Sequence, residues 1–123
     1  VITFRNLHNW LGPQMDSIFA NSFKALKPGG VFGVVEHRAD AETSIDDMKK
    51  SGYVTEEHAI MIAKRNGFVL VAKSEINANS KDTKDHPRGV WTLPPNLRLK
   101  EVDRDKYLSI GESDRMTLLF KKP

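Results

Sequence analysis

Apolar and polar positions alternate between two periods along this chain. Residues 1–4, "VITF", are a short apolar run rich in β-formers and read as a buried strand. Residues 13–27 follow a helical period: Met15, Ile18, Phe19, Ser22, Phe23 and Leu26 recur at three- and four-residue steps and fall on one face. Pro13 suits the first helical position, Lys24 and Lys27 complement the carboxyl end of the dipole, and "PGG" stops the helix. "VFGVV" (31–35) is a continuous apolar run, which predicts a strand covered on both faces. Residues 39–53 are polar and irregular, with a turn of helix near "SIDDMKK". Thr55 is placed as an N-cap before Glu56 and Glu57; Ala59, Ile60, Ile62 and Ala63 supply an apolar face, and Asn66-Gly67 ends the helix. "FVLVAKSEI" (68–76) is the next strand. Residues 77–114 lose the pattern and form a long loop or flap region, with one short helix near 104–110. "RMTLLFKKP" (115–123) alternates Met116, Leu118 and Phe120 against Thr117 and Leu119, a closing strand.

The order β-α-β-α-β-loop-β predicts one α/β domain over 1–123, built from parallel βαβ units. The last strand has no crossover helix before it, so it can run antiparallel. Composition narrows the classes without choosing among them. With 123 residues, 39% hydrophobic and 28% charged, the chain fits a single globular domain. It has no cysteine, which excludes disulfides and thiolate metal sites, and makes a cytoplasmic location the default. Its net charge of +3 is mild, and both signs interleave, as in "KEVDRDK" (100–106); no one-signed stripe suggests nucleic acid. No apolar run reaches the ~18 residues that cross a bilayer.

Candidate chemistry gathers where the first two strands end. Arg5, Asn6, His8 and Trp10 follow the first; Glu36, His37 and Arg38 follow the second. Neighbouring strand ends in an open α/β sheet open onto one cleft, where ligands bind. Imidazole titrates near neutrality, so His8 can serve as a general base, or it can be a strand-end histidine that only positions its loop. Arg5 and Asn6 either line the cleft or satisfy loop carbonyls. Trp10 either packs on the following helix or forms a cleft wall. His37 can approach His8 and contact substrate, or Glu36, His37 and Arg38 can form a salt-bridged rim. The four histidines (His8, His37, His58, His86) show no metal-ligand spacing. "HPRGVWTLPP" (86–95) sets Trp91 among prolines and glycine, the composition of a stiff apolar flap.

The phrase "FKALKPGGVFGVVEHR" (23–38), the loop Leu7-His8-Asn9-Trp10 and the ending "GESDRMTLLFKKP" (111–123) resemble the carboxyl-terminal half of class I S-adenosylmethionine-dependent methyltransferases. The resemblance implies a Rossmann-like fold truncated to strands 4-5-7-6 of that family, the last one antiparallel. It implies transfer of a methyl group from S-adenosylmethionine to a small acceptor, with His8 as base on a hydroxyl. It departs from the family at the cofactor: no G-x-G-x-G occurs, so the chain alone is expected to bind no cofactor tightly and to be inactive. A homodimer through residues 1–4 and helix 13–27 is expected, because an uncovered apolar edge strand recruits another. The other reading is a non-catalytic assembly module that uses the same edge.

Overall fold

A computed structural model describes residues 1–123, and in it the four predicted strands share one sheet. β1 (Ile2–Phe4), β2 (Val31–His37), β3 (Val69–Ser74) and β4 (Arg115–Lys121) lie in the order β1-β2-β4-β3. β1 and β2 are parallel; β4 is antiparallel to both its neighbours, as the missing crossover helix allowed. The helices are α1 (Pro13–Ala25), α2 (Ile45–Ser51), α3 (Glu56–Arg65) and α4 (Arg104–Ile110).

Local chemistry sets these limits. Pro13 opens α1, and Leu26 leaves it in an extended conformation. A distant residue completes that end: Lys122 Nζ donates to the carbonyls of Phe23 and Leu26, each at 2.8 Å, and lies over the Phe23 ring. The "PGG" turn is pinned to β4 by Gly29 N–H to Lys122 O (2.7 Å) and Lys122 N–H to Gly30 O (2.9 Å). In α3, Thr55 Oγ1 accepts from the His58 N–H at 3.1 Å, the expected cap.

The core lies on one side of the sheet. Met15 and Phe19 of α1, Met48 of α2, and Ala59, Ile62 and Ala63 of α3 pack on Phe32, Val34, Met116, Leu118 and Phe120. Phe19 stacks on Phe32 with ring centres 4.9 Å apart, and Phe68 meets Phe23 and Phe32 edge-on at 5.2 and 5.6 Å. Each buried ring contributes about 1.5–3 kcal/mol through area removed from water. The opposite face is bare. Val31 is 44% exposed, and Val1, Ile2, Val35 and Leu119 line a shallow apolar depression of about 550 Å³ there. Double-sided cover of 31–35 is therefore corrected: α1, α2 and α3 all contribute to the core on the same face, and Val31 on the other face stays exposed. No helix is long and apolar enough to cross a membrane.

Candidate functional site

β2 runs on through Glu36 and His37 rather than ending at Val35. Strand alternation then sends Phe32, Val34 and Glu36 toward the helices, and Glu36 ends fully buried beneath the loop that follows β1. That loop bends at Arg5, whose φ of 55° is unusual for a side-chain-bearing residue. It is fixed by Arg5 N–H to Val35 O at 2.7 Å and then coils as a single 3₁₀ turn, Leu7–Asn9.

Glu36 holds this turn in place. Its carboxylate accepts the His8 backbone N–H at 2.8 Å, the His37 backbone N–H at 2.8 Å, and His8 Nδ1 at 3.0 Å. A buried carboxylate is tolerable when donors meet it in this way. A carboxylate can only accept, so Nδ1 of His8 is the donor in this pair, and in the neutral ring the lone pair then sits on Nε2. His8 is thereby fixed in tautomer and orientation, the requirement for a general base.

His37 lies beside it, ring centres 5.4 Å apart, with Nδ1 hydrogen-bonded to Ser113 Oγ. Burial, then the neighbouring His8, Arg115 and Arg5, lower its pKa to about 3, so His37 is neutral at physiological pH. Arg115 Nε donates to the same Ser113 Oγ at 3.2 Å. The Trp91 and His8 rings meet in a T-shaped arrangement with their centres 5.9 Å apart.

These groups face a cleft of about 310 Å³ at the carboxyl ends of β1 and β2. Phe4, Arg5, Asn6, His8 and His37 line one side; Val90, Trp91, Pro94, Pro95 and Asn96 the other; Ser113 and Arg115 close the end. The loop carrying Trp91 is packed against the body. Gly89 has φ +60°, and a Cβ there would run into the backbone of Ser51, so only glycine lets the loop lie against the end of α2.

Of the residues predicted from the strand ends, Arg5, Asn6, His8 and His37 meet in this cleft. Three do not line it. Trp10 packs against the helix-side core, because the 3₁₀ turn rotates it away. Glu36 lies under His8 and supports it. Arg38 points to the other side of β2, where it pairs with Asp114 (2.9 and 3.0 Å), Glu56 (2.9 Å) and Glu75 (2.8 Å). Burial pushes the Asp114 carboxyl up, but Arg38, the Asn79 N–H and Lys84 outweigh it and hold its pKa at about 2. This cluster ties down the long 77–114 segment together with buried Asp82. Asp82 accepts from Tyr53 Oη and His86 Nε2 at 2.8 Å, and from the Lys84 and Asp114 N–H groups at 2.9 Å. Pro94 and Pro95 enter as part of the expected 86–95 flap, whereas Asn96, Ser113 and Arg115 were missed as cleft residues. The proline-flanked Trp91 was the one signal in the sequence that pointed toward them.

The absence of metal spacing is also corrected in part: His8, Glu36 and His37 bring ligand atoms within 4.8 Å of one another. Three N–H donors already occupy the Glu36 oxygens, and Ser113 meets His37 Nδ1, so a cation at this trio would have to displace them.

The fold is mixed α/β, a four-stranded sheet with α1, α2 and α3 packed on one face. No family model and no curated protein matches the chain. Among solved structures, the crystal structure of the [4+2]-cyclase SpnF is similar over 100% of this chain, with a TM-score of 0.59 and 16% identity. The chain corresponds to 49% of the SpnF chain, about half its length. At that identity the likeness is one of fold.

Proposed function

We propose that this chain forms the acceptor-side half of a class I S-adenosylmethionine-dependent methyltransferase, with His8 as general base. The observation that carries the reading is the His8–Glu36 pair at the mouth of a cleft above β1 and β2. The strand order β1-β2-β4-β3 with β4 antiparallel supports it, since it is the order 4-5-7-6 that the resemblance implies.

His8 Nε2 takes the proton of an acceptor hydroxyl, and Glu36 stabilises the imidazolium that results. Neutral His37 and Asn6 offer hydrogen bonds that orient the acceptor. Trp91 and the two prolines exclude water from the oxygen that becomes nucleophilic. Holding that oxygen in line supplies much of the rate in such a transfer. The residues present do not fit the methyl donor itself. No glycine and no carboxylate lines the cleft, so neither a backbone cradle nor a partner for the donor's amino and ribose groups exists there. The chain alone should therefore bind S-adenosylmethionine with a dissociation constant weaker than about 10 μM, or −7 kcal/mol; calorimetry showing tighter binding overturns that expectation. In the protein extended upstream of Val1, His8→Ala should lower kcat about 10²-fold or more with a smaller change in KM. A change below threefold leaves His8 a structural residue.

A second reading rests on the bare sheet face. Ile2 and Phe4 are 68% and 58% exposed on the edge strand, and Ile2 borders the apolar depression with Val31 and Leu119. We propose a second copy of the chain as its occupant, with two β1 strands meeting antiparallel about a two-fold axis. Light scattering that finds only monomer at about 10 μM protomer sinks this assembly.

A further inference from the structure

The charge balance of the cleft names a substrate class. Arg5 and Arg115 both line it, with His8 and His37 between the strand ends, and none of its twelve lining residues is Asp or Glu. Arg5 has no side-chain partner: its one hydrogen bond is the backbone N–H to Val35 O. Arg115 is 14% exposed and reaches Glu112 at 3.4 Å, a partner that is itself 57% exposed and lies outside the cleft. Glu112 borders the adjoining depression together with both arginines, but the cleft itself supplies no carboxylate, and a planar guanidinium fork matches an incoming carboxylate in two hydrogen bonds. Arg5 is brought to the cavity by a backbone conformation that costs energy for a non-glycine residue, a feature that clusters at binding sites.

The remaining walls are flat and apolar. Trp91 supplies an aromatic surface, backed by Arg98 6.0 Å from its ring centre, and Phe4, Pro94 and Pro95 complete the slot. A cavity of about 150 Å³ is enough for benzene. The 310 Å³ here holds one ring with polar substituents and not a fused or extended system.

We propose that the cleft binds a small hydroxylated aromatic acid, its carboxylate held by Arg5 and Arg115 and its ring hydroxyl presented to His8 Nε2. This deepens the proposed function by naming its acceptor, and it rests on that reading only for the fate of the hydroxyl. Neutral His37 fits the arrangement: it adds a hydrogen-bonding group without a third fixed charge, and the Glu36 carboxylate is already matched by its own donors.

The test reads binding, not methyl transfer. The chain is titrated with 4-hydroxybenzoate and, separately, with 4-hydroxybenzamide, while the ring resonances of His8 and His37 are followed by NMR. The acid should move both rings with a dissociation constant below about 1 mM, and the amide should bind at least tenfold more weakly, about 1.4 kcal/mol. Arg5→Gln, at an exposed residue, should weaken the acid at least fivefold and leave the amide and the unfolding midpoint unchanged. Arg115→Lys, which keeps the charge but loses the fork, should weaken it less. Equal binding of acid and amide, an unaltered Arg5→Gln affinity, or competition by an equal concentration of inorganic phosphate each overturns the proposal. An acid that binds but is not methylated by the extended protein overturns the methyltransferase reading and leaves this site standing.

Discussion

The helix-facing side of the sheet and the carboxyl end of its strands are both buried, by opposite means. Under α1 and α3 the interior is aromatic: Phe19, Phe32, Phe68 and Phe120 touch one another and need no partner beyond a close fit. At the strand ends Glu36, His37, Asp82 and Asp114 are as deeply placed, at 0–8% exposure, but each is matched to named donors or acceptors. Apolar burial tolerates small misplacements, whereas a buried charge with one partner removed does not. Stability therefore resides mainly in the first region. Geometry precise enough for chemistry resides in the second.

The largest effect expected from breaking this comparison is in the aromatic region. Phe68→Ala should cost about 3–5 kcal/mol in urea unfolding, because three rings lose their edge contacts at once. It should leave the Arg5-dependent binding of 4-hydroxybenzoate intact where the protein remains folded. A loss below about 1 kcal/mol would mean the rings do not form the main core.

An intermediate effect belongs to the polar region and depends on pH. His37 has a folded pKa of about 3 against 6.5, so the unfolded chain binds the extra proton first as pH falls. Stability should be flat above about pH 6.5 and then decline toward pH 3, with a slope approaching about 1.4 kcal/mol per pH unit. Burial lowers the His58 pKa in the same direction, and Asp114 adds a further decline between 3.8 and about 2 as its carboxylate is lost. Unfolding curves of His37→Asn across pH 7 to 4 isolate the His37 share. An unchanged pH profile would show that His37 is not held neutral by its surroundings.

The smallest effect sharpens the rule on its exception. Thr3 is 7% exposed, and its Oγ1 is buried with no hydrogen-bond partner. Thr3→Val should stabilise the fold by about 1 kcal/mol, since it removes an unmet hydroxyl at nearly constant volume. A loss of stability on thermal unfolding would show that the hydroxyl is satisfied in solution.

Much of the fold could be read from short-range pattern. The Thr55 cap, the Asn66-Gly67 stop, the apolar face of α1, the alternation of β4 and the short helix at Arg104–Ile110 all stand where local spacing put them. The clustering of Arg5, Asn6, His8 and His37 was also legible, because strand ends are local features and neighbouring strands share a cleft. The continuous run 31–35 misled, because apolar residues mark what a strand could bury and not what lies over it.

By itself the sequence determined the elements, their caps and the residues that could carry chemistry, for these depend on contacts a few positions apart. Tertiary structure alone decided the pairs separated by tens of residues. Glu36 came to lie beneath His8, Ser113 against His37, Lys122 over the end of α1, and Asp82 inside the 77–114 segment. It also turned Trp10 inward and Arg38 away from the cleft. The physical reason is directional: a hydrogen bond or ion pair needs two groups at about 3 Å in a fixed orientation. That meeting is set by how strands are ordered and helices laid across them, which no local spacing encodes.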